Sequence, residues 1–292
     1  MEQEIVEQKM ETVQLGGNDV VYLQDKATID MQISTAKAYP RNIRRATDNA
    51  VAVVTMDFET ASTCTYAVPR GGKQITGASV HLAKILAQFW GNLRVEAKVI
   101  NIDHKHITSQ AIAYDLENNL AIKVEVKRSI VGKYGRFNDD MITVTGNAGN
   151  SIAMRNAILS VIPRAVVDKV YKSALSTITG DVSDKAKLIA KRKQVLDTFN
   201  ESYGVSEQEV LKSIGKASLD NITAEDIVTL IGIGQAIKDG DTSIEEAFRG
   251  KKEKTSNATT EKPTEEIVVK ESEALKSKKA EAKNKNGELP LN

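Results

Sequence analysis

The stretch Leu93-Arg94-Val95-Glu96-Ala97-Lys98-Val99 alternates apolar and charged residues without interruption. Period two is the signature of a strand with one face buried and one in water. A turn near Asp103-His104-Lys105 leads to a second strand over 107–114. A turn at Asp115-Leu116-Glu117-Asn118-Asn119 leads to a third, Leu120-Ala121-Ile122-Lys123-Val124-Glu125-Val126-Lys127. Strands joined by short turns pair antiparallel, so the sequence predicts a three-stranded meander. The same period puts Arg94 and Lys98 on one face of the first strand and Lys123 and Lys127 on one face of the third. The opposite faces are apolar and need a cover.

The cover follows in sequence. After a basic, glycine-rich loop, Gly132-Lys133-Tyr134-Gly135-Arg136-Phe137, Asn138 is placed to cap a long helix. Asp139 and Asp140 stand in its first turn, where acids suit the helix dipole. It runs to about Val161, before Pro163, and carries Gly146, Ala148, Gly149, Ala153 and Ala157, small residues that permit close approach to a sheet. The fold class is therefore α+β, a β-β-β-α core with a long backing helix.

Upstream, residues 1–27 read as a flexible acidic arm or one short helix, broken at Gly16-Gly17-Asn18-Asp19. A helix over Asp30–Ala38 should stop at Tyr39-Pro40, because the residue before proline avoids helical geometry. A second spans Arg41 to Asp57. Its first turns hold Arg41, Arg44 and Arg45, which oppose the dipole and read as available for an anion. Cys64 to Pro69 reads as a short strand and 70–77 as a loop. Ser79 then caps a helix to about Phe89. Downstream, a helix over Arg164 to about Thr177 completes a basic core at 28–180. Lys185–Asn200 and three units with N-terminal signals at Ser206, Thr223 and Ser243 form a small helical domain at 181–249. Residues 250–292 have no aromatic residue and read as a disordered tail.

Composition narrows the function. The 292 residues carry 40 Lys and Arg against 39 Asp and Glu, a net charge of +1 that excludes a bulk polycation. No apolar run reaches the roughly 18 residues of a membrane span. The first residues lack the basic and apolar regions of a signal peptide, which predicts a cytoplasmic protein. Cys64 is the only cysteine, so no internal disulfide is expected, and three histidines leave little for a metal site. Charge is unevenly spread: net −5 over 1–36, +8 over 37–180, −4 over 181–250 and +2 over 251–292. A basic block between acidic ones points to a polyanion at the middle of the chain.

Gly71-Gly72-Lys73 lacks the upstream glycine and the following Ser or Thr of a P-loop, although Arg70, Lys73 and exposed amides can hold phosphate. Gly232-Ile233-Gly234 lacks the third glycine of a dinucleotide site. His104-Lys105-His106 reads as a turn rather than a metal site. Asp115 followed by Glu125-Val126-Lys127 matches an acid and Glu-x-Lys arrangement that could hold Mg²⁺ and orient water, a nuclease alternative. The basic set is larger: Arg94, Lys98, Lys123 and Lys127 on the sheet, Arg70, Lys73, Lys133 and Arg136 on loops, and Arg155 on the long helix. Tyr134 and Phe137 interleave with it, and aromatics can stack on unpaired bases.

Several segments resemble a widespread phage and prophage protein family. They are Tyr66-Ala67-Val68-Pro69-Arg70-Gly71-Gly72-Lys73-Gln74-Ile75-Thr76-Gly77-Ala78-Ser79, Trp90-Gly91-Asn92, Asn138-Asp139-Asp140-Met141 and Thr145 through Ala157. The order of three strands and a long helix also resembles the core of single-strand annealing proteins of the broad RecT, Redβ and Erf type. That resemblance implies ATP-independent binding of single-stranded DNA and annealing of complementary strands in phage recombination, with no cofactor. It implies a homo-oligomer, ring or filament, with a single-strand binding protein and a phage exonuclease as partners. A phage assembly or regulatory module that binds protein through its basic middle is the further alternative.

Overall fold

The computed structural model describes residues 17–70, 73–132, 134–181 and 184–249. Expectations for residues 1–16, for Gly71, Gly72 and Lys133, and for the 250–292 tail lie outside these. The elements run α1 Gly17–Ala38, α2 Ile43–Val54, α3 Phe58–Thr63, β1 Thr65–Arg70, β2 Lys73–Ala78 and α4 Val80–Trp90. β3 Leu93–Ile102, β4 His106–Asp115 and β5 Leu120–Ser129 follow, then the short β6 Val131–Gly132 and β7 Gly135–Arg136. The helices α5 Asp139–Val161, α6 Arg164–Asp181, α7 Lys185–Tyr203, α8 Glu207–Ser213 and α9 Ala224–Lys238 complete the order, with a π-type turn at Glu245–Arg249.

The expected α+β architecture is present. β3, β4 and β5 pair antiparallel in sequence order. Leu93 lies opposite Asp115, and Asp115 opposite Leu120. Asn138 accepts a hydrogen bond from the Met141 amide and starts α5 as expected. The inner sheet face presents Val95, Ala97, Ala111, Ala113, Ile122, Val124 and Val126, which pack with Ala153, Ala157 and Ile158 of α5. Glycines set this distance. A Cβ at Gly146 would stand 2.9 Å from Ile107, and one at Gly149 2.5 Å from Ser109 Oγ. Residues from α2, α4 and α6 join the same core, among them Ala50, Val54, Leu82, Leu86, Trp90 and Val170.

Three expectations differ. The helix expected from Asp30 begins at Gly17. Of the loop expected over 70–77, Arg70 ends β1 and the residues from Lys73 onward form β2, paired with β1 from Thr65↔Ala78 to Arg70↔Lys73. A small hairpin, β6–β7, stands in the glycine-rich loop after β5. In both hairpins, backbone pairing supplies partners that the composition alone does not reveal.

The helical region beyond 184 does not stand apart from the sheet-bearing region. Ala67 of β1 is buried with Phe199, Leu230, Ile233 and Phe248 in a second core. α9 lies directly on the β1 backbone at Gly232, where a Cβ would stand 2.9 Å from Ala67 N and from Tyr66 C. This packing requirement explains Gly232, whereas Gly234 makes no such close approach. The cap residues expected at Ser206 and Thr223 each form a capping box, with Glu209 and Asp226 respectively. α7 ends at Gly204, whose φ of 61° is left-handed and suits glycine.

The two glycines of α9 separate packing from propensity. Gly232→Ala must push the helix off a backbone and should cost about 1–3 kcal/mol. Gly234→Ala meets only the Phe199 ring at 3.7 Å. It should be neutral or stabilise by up to about 1 kcal/mol through helix propensity. Denaturant unfolding of both variants checks this, and equal effects would contradict the α9–β1 contact.

Candidate nucleic-acid interface

The outward face of the meander is built by register. Lys98 lies opposite Gln110, and Gln110 opposite Glu125. Lys123 and Lys127 stand two residues either side of Glu125 on the same strand, hence on the same face. All three lysines are exposed. Arg94 shares that face, yet its guanidinium pairs with Glu96 and also donates to Gln32 at 3.2 Å. Glu125 accepts from Gln110 Nε2 at 3.0 Å. With Arg94 and Glu96 cancelling, the patch has three lysines against Glu125, a net +2.

The charge extends around the β3–β4 turn. Asp103 accepts from the Lys105 and His106 amides at 2.7 Å each. Those bonds hold its carboxyl below the usual range, and the charges of His106 and Lys127 add to them. The His104-Lys105-His106 segment is thus a capped turn running into β4. Arg136 donates to the Asp103 carbonyl at 2.7 Å, which brings the β6–β7 hairpin beside this turn. Tyr134, at the tip of that hairpin, is 95% exposed.

Two residues of the expected interface are used elsewhere. Phe137 is not a stacking platform, because it packs with Ile107, Ile130 and Ile142 in a satellite core. Arg155 is not a surface cation, since its side chain is 9% exposed. It donates to Asp241 at 2.8 Å and lies 4.3 Å over the Tyr66 ring. Burial pushes the Asp241 carboxyl up, against the pull of Arg155. Arg128 also reaches this cluster, donating to the carbonyls of Gly240 and Asp241. Lys133 lies outside the described residues. Arg70 and Lys73 are exposed and face each other across the last pair of the β1–β2 hairpin, and no strand of the meander lines their surroundings.

The arginines expected to wait for an anion also divide. Arg44 and Arg45 are exposed. Arg41 is 6% exposed and closes an internal network. It donates to Asp115 at 2.8 Å and to Glu117 at 2.9 Å, and lies 4.6 Å from the Trp90 ring centroid.

That network also separates the residues of the nuclease alternative. Asp115 belongs to the inner-face row of β4 with Ala111 and Ala113, whereas Glu125 and Lys127 point outward opposite Gln110 and Thr108. The Asp115 side chain is 2% exposed and bound by Arg41 and Asn118. Burial alone would raise its carboxyl, but those hydrogen bonds and the Arg41 charge outweigh burial and hold it below the usual range. Glu117 is held low in the same way, with Asn92 and Arg41 as donors. Among the described residues no cluster of three or more His, Cys, Asp or Glu is placed to hold a metal ion. Cys64 is buried, and burial pushes its thiol up to about 11. Among the described residues no helix is long and apolar enough to cross a membrane.

No protein-family model, no curated protein and no solved structure matches this chain.

The Arg41 network generates a stability prediction. Arg41→Leu leaves the buried Asp115 and the half-buried Glu117 without their cation and should cost about 3–5 kcal/mol. Both carboxyls sit below their ordinary values of 3.8 and 4.5 when folded, so their contribution is present above those values. It is lost as pH falls through the folded values. Acid unfolding of the native chain should therefore steepen below about pH 4.5, and Arg41→Leu should flatten that slope. Glu125→Gln should change neither, and an effect as large as that of Arg41→Leu would refute the assignment.

Proposed function

We propose that the chain binds single-stranded DNA through the outward face of β3–β5 and anneals complementary strands without ATP. The observation that carries this reading is the exposure of Lys98, Lys123 and Lys127 on one sheet face with Arg136 at its edge. Ammonium groups on stiff strands neutralise phosphate without reading sequence. Holding phosphates this way lowers the repulsion between two strands, and base pairing and stacking then supply the driving force. No step calls for a nucleotide cofactor or a metal. Exposed Tyr134 beside this face is positioned to stack on an unpaired base.

The resemblance to phage annealing proteins adds the setting. In this proposal the protein acts in phage-type recombination as a homo-oligomer along the strand, where each added copy multiplies weak contacts. A single-strand binding protein and a phage exonuclease would be its partners in the host cytoplasm.

The test mixes full-length protein with two complementary labelled oligonucleotides, at low and high salt, in EDTA and in Mg²⁺. Accelerated duplex formation in EDTA, lost at high salt, is expected. No acceleration under any condition would overturn the reading, and so would shortened oligonucleotides in Mg²⁺.

The sheet face itself is checked by salt dependence. Lys123→Ala and Lys127→Ala should each remove roughly one phosphate contact. The slope of log affinity against log salt for a single strand should then fall by about 0.7 per substitution. Lys169→Ala, whose amine pairs with Asp48 at 3.2 Å away from the sheet, should leave the slope unchanged. An unaltered slope in the Lys123 and Lys127 variants would place the strand elsewhere.

A further inference from the structure

Helix α1 turns one side to the body of the chain and the other to solvent. Ala36 is 1% exposed, Ile29 and Ile33 are half-buried, and Gln32 accepts from Arg94 at 3.2 Å. These four residues share one side of the helix and define the face turned to the body. Spacing places Leu23, Ala27, Met31, Ser34 and Ala38 along the opposite side, as a stripe that starts with Leu, Ala and Met. All five are exposed, Leu23 at 46% and Met31 at 64%. Every residue from Val21 to Thr28 is exposed as well. That half of the helix gains little from tertiary packing, and a short helix is marginal in water by itself.

The charges beside the stripe point to what covers it. Lys26 and Asp30 are exposed and stand together on the flank next to Leu23. A lysine four residues before an acid is the weaker order for pairing within one helix. In an antiparallel pair of identical helices, each flank meets the same flank of the partner. A crossing at Ala27 then sets Leu23 beside the partner's Met31, and Met31 beside the partner's Leu23. Lys26 meets the partner's Asp30, and Asp30 meets the partner's Lys26. A parallel pair would instead set this flank against the uncharged flank of Gln24, Thr28 and Thr35, and both charges would lack a counter-charge. Ala27 at the crossing lets the two axes approach closely. Ser34 and Thr28 already donate their hydroxyls to the carbonyls of Asp30 and Gln24, each at 2.8 Å, so burial leaves neither donor unpaired.

We propose that α1 pairs antiparallel with α1 of a second copy, through the Leu23-Ala27-Met31 stripe and reciprocal Lys26–Asp30 ion pairs. The contact is isologous, so it closes as a two-fold dimer. One helix pair lies at the small end of the range for specific interfaces, so the dimer should assemble at micromolar rather than nanomolar concentration. The pair does not depend on the annealing function proposed for the sheet. It is a contact made without DNA, distinct from association along a strand.

The test is sedimentation velocity of the full chain without DNA, from low micromolar concentration to some hundreds of micromolar. The native chain should pass from monomer to dimer as concentration rises. Met31→Asp, which puts an acid into the stripe, should weaken association about tenfold or more. Lys26→Glu and Asp30→Lys should each weaken it, and the two together should restore it. These side chains are exposed, so thermal melts of the variants should match the native chain. Ala27→Cys should give a disulfide-linked dimer on mild oxidation, because the two copies of this residue meet at the crossing, whereas Thr35→Cys should not. The native Cys64 is buried and does not compete. A monomer throughout the range overturns the proposal. So does a dimer that ignores Met31→Asp, or a double charge exchange that associates no better than its single variants. If annealing is seen while the chain stays monomeric without DNA, only this proposal fails. If the dimer responds as stated and annealing is absent, only the sheet reading fails.

Discussion

A three-stranded sheet cannot hold itself together in water, and the inner face of β3–β5 is poor in large side chains. Ala97, Ala111 and Ala113 give it a shallow profile. Burial there is worth having only if the covering helix comes very close, since dispersion falls steeply with distance. Gly146 and Gly149 let α5 do so, at contact with Ile107 and Ser109. Once α5 occupies one face, the period of two commits Lys98, Lys123 and Lys127 to the other. The exposed charge of the meander is therefore a consequence of the packing on its reverse. The same device recurs where Gly232 seats α9 on β1.

The interior also decides how many cations the surface keeps. The +8 block at 37–180 counts every arginine alike. Arg41 is enclosed with Asp115 and Glu117, Arg155 with Asp241, and Arg128 with two backbone carbonyls. These guanidiniums bridge segments far apart in sequence. Arg41 ties the start of α2 to the β4–β5 turn, and Arg155 ties α5 to the loop after α9. A planar fork with several donors suits such bridging, whereas lysine remains at the solvent face. Lysine accordingly carries most of the accessible charge on the sheet.

The meander and α5 were legible because each rests on a local rule: alternation for the strands, an Asn cap with acids behind it for the helix. Ser79, Ser206 and Thr223 were legible for the same reason. The β1–β2 hairpin was harder to see because Lys73-Gln74-Ile75-Thr76-Gly77 has no alternation, and its strand status comes from pairing with β1. A Gly-Gly pair flanked by two extended runs was the available signal. The fates of Arg41, Arg155 and Phe137 were not legible, because each is decided by a partner at least 74 residues away or by a core assembled from three segments. The contact of Gln74 with Ser213 was not legible on the same ground, since only α8 packing near β2 brings the two together.

What the sheet face could recognise follows from the groups it exposes. The sheet offers amines and one exposed tyrosine at its edge, with Tyr114 tied through its hydroxyl to Asn119. In the proposed reading such a surface would hold phosphate and leave base edges uncontacted, so its affinity would follow salt and ignore sequence. Uncontacted base edges are what a second strand needs in order to pair.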